Sequence, residues 1–490
     1  MAQVFNPYLP LHEYIPDGEP HVFDGRIYLF GSHDAENGDT FCMNPYEFYS
    51  ASIDDLRSWT SRGISYKAEQ DPMCSEKRKY LYAPDVVRGN DGRYYLYYAL
   101  SGYRGKGGYF GPIAAAVCDT PDGEYTYLGI VRNADGSMFR EGILFDPAVI
   151  NDEGTIRLYY GSQYPFPEKE SFVTRMVQSK LYGKTMEEIK SAPDGIMGPM
   201  CVTLADDMLT VTSRAVHIIT PHVKGTEWEE HPFFEGASIR RINGLYYFIY
   251  SSLKNHELCY AVSHYPDRDF TYGGTIISNG DVGYNGRKEE DRLNATGTTH
   301  GSIECINGQW YVFYHRLTHG SDYSRQSCAE PITIAEDGSI AQVEMTSCGL
   351  NGAPLVDTGV YPAVICCNLT NGHMPHSSNK KSKKKYPCVS SGSGQQFIAN
   401  IENGTWIGYK YFSFTGTRKI RIRYRGTGDG FLTVTAGYQE KALARVRIGI
   451  RNNWTDTTVE VPFQAGKSGL FFHFEGTGSM ELLEFELQNR

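Results

Sequence analysis

The chain has 490 residues, a net charge of −10 at pH 7, and 40% hydrophobic and 13% aromatic residues. That length and apolar content exclude a disordered chain and leave room for two or three domains, or one large repeat domain with a smaller partner. The acidic balance, 57 Asp and Glu against 47 Lys and Arg, argues against a dedicated nucleic-acid binder, while 36 Tyr and 52 Gly point to β-structure. No stretch approaches the roughly 18 apolar residues that cross a membrane. The opening MAQVFNPYLPLHEYIPDGEP has neither a basic nor an apolar leader region. The expectation is therefore a cytoplasmic protein, or a secreted one if a leader has been removed. The 11 Cys are scattered without a CxxC pair, which suits reduced, buried thiols.

In chain order, one pattern recurs: an apolar strand, a glycine turn, then an aromatic-rich strand. The copies are HVFDGRIYLFGS from His21, DVVRGNDGRYYLYYAL from Asp85, AVINDEGTIRLYYGS from Ala148, ASIRRINGLYYFIYSS from Ala237 and SIECINGQWYVFYHR from Ser302. Asp-Gly, Glu-Gly or Asn-Gly between alternating apolar positions is a hairpin signal. Five copies at blade-sized intervals predict a five-bladed β-propeller over residues 1–350. GYRGKGGYFG, Gly102 to Gly111, reads as a loop connecting blades. Residues 351–396 read as a connecting segment, with a solvated linker around the lysine run Lys380 to Lys385. From 397 to 490, period-two segments such as KIRIRYRG and GLFFHFEG predict a small β-sandwich, jelly-roll-like. The fold class is all-β throughout.

Strand starts of a propeller converge on its axis, and carboxylates stand there. Asp17 and Glu19 lie in IPDGEP, Asp146 in LFDPAV and Glu235 in FFEGAS. Hydrolysis of a glycosidic bond needs one protonated carboxyl for the leaving group and one ionised carboxyl to activate water. A third nearby raises the pKa of the acid by repulsion.

These residues resemble glycoside hydrolase family 43, the five-bladed propeller enzymes acting on arabinose- and xylose-containing glycans. The resemblance rests on NPYLP, GSHD (Gly31 to Asp34), YAPD (Tyr82 to Asp85), FDPAV and EGAS in that order, over roughly residues 5–350. It implies Glu235 as general acid, Asp146 as the carboxylate that tunes it, and inverting hydrolysis. The family's base, an Asp before Pro, is matched in place by Glu19 and in residue type by Asp17; Asp17 is preferred and Glu19 kept as alternative base or sugar contact. Asp34, Tyr82, Asp85, Gln163 and Arg316 are the expected substrate contacts. His300, in TTHGSIE, matches a histidine beside a hydrated calcium or other cation near the axis. No organic cofactor is expected. The partner is an oligo- or polysaccharide, with no nucleic acid and no membrane.

The activity read from this is an exo-acting α-L-arabinofuranosidase, with β-D-galactofuranosidase and β-xylosidase as alternatives within the family and a non-catalytic carbohydrate-binding propeller outside it. The last part of the chain resembles a family 6 carbohydrate-binding module, in FIANIENGTWIGYKYFSF and GLFFHFEGTGSMELLEF.

Overall fold

A computed structural model describes residues 3–163, 171–192, 195–376 and 385–488. Most of the lysine run, Lys380 to Lys384, lies outside the described residues. The chain forms five antiparallel sheets in succession, each a simple meander. Blade 1 uses Glu19–Phe23, Arg26–Phe30, Tyr49–Ser52 and Asp55–Ser61, and blade 2 uses Tyr80–Arg88, Tyr94–Ser101, Ile113–Cys118 and Thr126–Ile130. Blade 3 uses Ala148–Asp152, Thr155–Ser162, Gly198–Leu204 and Val216–His217, and blade 4 uses Phe233–Ile242, Leu245–Ser252, Glu257–Ser263 and Thr271–Ser278. Blade 5 has three strands, Ser302–Ile306, Gln309–Leu317 and Arg325–Ile332.

The repeated hairpins are the inner two strands of each blade. Their turns need left-handed backbone, which the sequence supplies as residue pairs. Asp24 and Gly25 have φ of 47° and 77°, and Asn243 and Gly244 have 51° and 81°. Two positive φ values in a two-residue loop twist the strands the way a sheet twists. The tyrosines of these hairpins are buried between blades: Tyr97 and Tyr160 pack in one interblade cluster, and Tyr159, Tyr246 and Tyr250 in the next.

The ring closes without a fourth strand from the last blade. The Asn6 amide straddles Ala329 of blade 5, donating to its carbonyl at 2.8 Å and accepting from its N–H at 3.0 Å. Tyr8 N–H donates to the Ser327 carbonyl at 3.3 Å. The N-terminal segment thus covers an edge that would otherwise stay open.

Two expectations need correction. Gly102 to Gly111 lies inside blade 2, between its second and third strands. It is held there because Gly102 sits against the Lys77 and Lys106 carbonyls, where a Cβ would come within 2.2 and 2.8 Å. The segment 351–396 is more than a connector: Leu355–Val356, Gly359–Pro362, Asn368–Thr370 and Cys388–Gly392 are strands of the C-terminal sandwich. These strands are two to five residues long, too short for period two to be visible. Blade 3 also carries two helices, α1 (Phe172–Tyr182) and α2 (Met186–Ser191). Ser171 and Thr185 cap them by accepting from the N–H groups of Thr174 and Glu188.

The sandwich packs two six-stranded sheets over a core that includes Ile398, Tyr409, Phe412, Phe472 and Phe485. It is fastened to the propeller by a buried cation: Lys410 Nζ lies 2.9 Å from Asp281 and 2.8 Å from Glu344. Among the described residues no helix is long and apolar enough to cross a membrane.

Candidate active site

At one end of the propeller axis a cavity of about 1340 Å³ is lined by Asp17, Asp146, Glu235, His300, His315 and Arg325, with Phe41, Tyr82, Tyr109 and Phe145 as aromatic wall. Each carboxylate arrives by the same local device. Asp17 has φ of 57° and Asp146 of 45°, and Gly236, next to Glu235, has 73°. At Asp17 and Asp146 the left-handed residue stands just before the inner strand; at Gly236 it stands inside Phe233–Ile242, where the pairing register shifts between Glu235 and Ser238. For a non-glycine residue that conformation is strained and persists only where the surroundings hold it. At Gly236 a Cβ would sit 3.1 Å from the His300 ring.

The carboxylates differ in proton state. Burial alone would raise Asp17, but the Arg325 guanidinium at 2.7 Å, with His315 and His300 beyond it, outweighs burial and lowers its pKa. Glu235 is pushed up to about 8, first by burial and then by the charge of Asp17. Its opposing influences are weaker: a bond from the Tyr109 hydroxyl at 3.3 Å and the charge of Arg325. Asp146 is raised well above the usual range by burial, with repulsion from Glu235 and Asp17 added. It accepts the Gly236 N–H at 3.0 Å, which ties its position to the backbone that carries Glu235. One ionised carboxylate and a neighbouring pair that retains a proton near neutrality therefore share one cavity.

Arg325 and His315 organise Asp17. Arg325 forks onto Asp34 with Nε at 2.8 Å and Nη2 at 3.0 Å, leaving Nη1 for Asp17. The Asp17 backbone N–H donates to His315 Nδ1 at 3.2 Å. Nε2 of His315 therefore carries the proton and donates to Thr298 Oγ1 at 3.0 Å, and burial lowers this histidine to about 3, keeping it neutral.

Among the expected site residues, Asp17, Tyr82, Asp146, Glu235 and His300 face the cavity together. Glu19 does not. It is buried two residues along the strand, bonded to Arg240 at 3.1 Å and to Ser238 at 3.1 Å. Both residues were expected to face the axis, and the left-handed turn at Asp17 separates them. Asp34 and Asp85 are clamps and not part of the cavity wall. Asp34 holds Arg325, and Asp85 accepts from the Val149 N–H of blade 3 at 2.7 Å while bonding His21 of blade 1 at 2.7 Å. Gln163 is also off the cavity wall, its backbone N–H on the Phe234 carbonyl and its Nε2 3.4 Å from the Pro221 carbonyl.

Arg316 follows His315 on one strand and points to the opposite face, where Nη1 donates to the Cys366 carbonyl of the sandwich at 3.0 Å. Five of the cavity residues named above had no expectation attached: Arg325, His315, Tyr109, Phe41 and Phe145. His315 was within reach, because it alternates with Arg316 in the fifth hairpin. Tyr109 lies in the glycine-rich loop, and Arg325 has no local signal.

Among the described residues three places hold possible metal donors; one, His231, Glu257 and Cys259 at blade 4, has its histidine and glutamate already paired at 2.7 Å. His300 Nε2 is buried and has no hydrogen-bond partner among the described residues, so it is free to meet a hydrated cation. Glu19, His21 and Asp85 place donor atoms within 4.8 Å of one another, but His21 and Asp85 already bond each other.

A propeller whose axis ends in an ionised and a protonated carboxyl, walled by aromatic rings, is the arrangement of a glycoside hydrolase. The chain belongs to glycosyl hydrolases family 43, whose family model matches residues 23–340. It is 41% identical over 500 residues to a xylosidase/arabinosidase of Thermoclostridium stercorarium, covering 99% of each chain. It is 31% identical to xylosidase/arabinosidase 43A of Humicola insolens, over 67% of this chain and 96% of that one. Among solved structures it resembles the GH43 enzyme from Xanthomonas citri complexed with xylotriose, with 27% identity, a TM-score of 0.51, and coverage of 70% of this chain and 94% of that chain.

Proposed function

We infer that the protein is an exo-acting hydrolase of arabinose- and xylose-containing oligosaccharides, an α-L-arabinofuranosidase working with inversion. The observation that carries this reading is the opposed protonation of Asp17 and Glu235 in one cavity. Glu235, still protonated at neutral pH, gives its proton to the leaving oxygen. Asp17, ionised and held by Arg325, takes a proton from the attacking water. Asp146, kept protonated by burial and by the Glu235 charge, accepts the Gly236 amide and so holds the backbone that carries Glu235. The axis beyond the cavity is filled by cross-blade bonds, Ser238 to Ser302 at 2.6 Å and Arg240 to the Pro20 carbonyl at 2.7 Å. With the axis blocked behind it, the cavity takes the end or a branch of a chain and not a strand running through, which is why the action is read as exo.

β-Xylosidase activity on the same site is a second reading, favoured by the joint names of the two relatives. A hydrated calcium near His300 would supply positive charge at the axis, held mainly by its own waters. The sandwich is read as a carbohydrate-binding module, supported by the half-buried Trp406 stacked on His473 with ring centroids 4.2 Å apart.

The test is turnover of p-nitrophenyl α-L-arabinofuranoside, β-D-xyloside and β-D-galactofuranoside, with the product anomer read by NMR. Release of arabinose with inverted configuration is expected. Retained configuration, or release from none of the three, would overturn the reading.

A further inference from the structure

The cavity mouth carries the opposite charge to the rest of the chain. The protein is net −10, yet apart from the catalytic depth the charged residues lining this cavity are Lys77, Arg78, Arg104, Lys106 and Lys180 against Glu76 alone. Glu76 is already engaged by Lys79 at 2.9 Å. Arg78 is spent on the Leu100 and Gly111 carbonyls, and Arg104 on the Asp39 carbonyl between the rings of Tyr103 and Tyr323. That leaves Lys77, Lys106 and Lys180 exposed, with no ion pair among the described residues.

Three separate elements bring these lysines to one rim. Lys77 and Lys106 meet over Gly102, which packs against both carbonyls and whose N–H donates to the Lys106 carbonyl at 2.9 Å. Lys180 comes from α1, whose C-terminal Gly183 packs against the Phe110 ring, with a would-be Cβ at 2.8 Å. Between the lysines stand two exposed rings, Tyr103 at 43% and Phe110 at 40% exposure. Exposed aromatic faces beside unpaired cations suit a sugar that carries a negative charge: the ring packs on the C–H face and the ammonium groups meet the anion.

We propose that this rim binds the leaving-group side of the substrate and selects oligosaccharides bearing a carboxylate, a uronosyl residue, near the scissile bond. The proposal rests on the hydrolase reading above: the sugar to be released fills the depth around Asp17, Glu235 and Tyr82, so what extends past Tyr103 and Phe110 is leaving group. Solvent-exposed charges act through a screened field, so the preference weakens with salt.

The experiment compares kcat/KM for two arabinosylated xylo-oligosaccharides that differ only in a glucuronosyl branch, at low salt and at 0.5 M NaCl. About a tenfold preference for the acidic substrate at low salt is expected, shrinking toward parity at high salt. In the Lys77→Gln, Lys106→Gln, Lys180→Gln triple variant the ratio should fall to about one; as a ratio within one preparation, it is insensitive to how much protein is folded. Equal rates on the two substrates, a preference indifferent to salt, or one that survives in the triple variant would each overturn the proposal. Hydrolysis of the aryl arabinofuranoside in the same preparations separates this failure from failure of the hydrolase reading itself.

Discussion

Two stretches of the propeller axis use the same residue types to opposite ends. At the cavity, Asp17, Asp146 and Glu235 share one guanidinium, that of Arg325. Two residues further along the first strand, Glu19 lies on Arg240, and nearby Asp85 lies on His21 and two backbone N–H groups. Both Glu19 and Glu235 are raised to about 8, in each case chiefly by burial. A raised pKa therefore does not by itself mark a catalytic acid. Access to a substrate-sized space and an ionised partner across it distinguish Glu235, while Glu19 holds blades together.

The largest expected effect is at the cavity. Glu235→Gln should lower kcat on an unactivated arabinoside by about 10²–10⁴-fold, with the melting temperature little changed, measured by steady-state kinetics and calorimetry. Glu19→Ala should do the reverse. It leaves the buried Arg240 guanidinium without the carboxyl it lies on at 3.1 Å, at a cost of about 3–5 kcal/mol in denaturant unfolding above pH 8, where Glu19 is ionised, and less below it. If Glu19→Ala folds normally but loses all turnover, the contrast between the two stretches collapses.

Next comes pH dependence. The base must be ionised and the acid protonated, so activity falls as pH drops through the lowered pKa of Asp17 and as it rises through Glu235 near 8. Asp146→Asn replaces a carboxyl that burial and the Glu235 charge keep protonated, so it should leave the alkaline limb of kcat/KM near its original position. Arg325→Lys loses the fork onto Asp34 and should move the acid limb up. An alkaline limb that drops by a unit or more in the first variant, or an acid limb that stays in place in the second, would remove the electrostatic account of the site. The smallest effect is far from the axis: Gly25→Ala, at φ of 77°, should cost about 1 kcal/mol of stability and leave kinetics unaltered.

Much of the architecture was legible because hairpin turns and period-two strands are local. Asn243–Gly244 and the aromatic strand after it say hairpin without knowledge of any neighbour. Of the site, Asp17, Asp146 and Glu235 were legible because each stands a few residues ahead of a repeated hairpin motif. Arg325 was not. Its partners Asp17 and Asp34 lie 308 and 291 residues away, and they meet only because blade 5 closes against blade 1. Strand period alone does not tell Arg316 from His315, because the phase of that strand relative to the axis is set by its pairing. The two helices of blade 3 leave little signal, being a short insertion in a strand-rich texture.

The sequence by itself determined the repeat, its turn chemistry and which carboxylates stand at strand starts, since these depend on neighbours within a few residues. Tertiary structure alone decided which carboxylate keeps its proton. That depends on burial and on charges brought in from other blades: Arg325 lowers Asp17, Asp17 and burial raise Glu235, and Arg240 takes Glu19 out of the reaction.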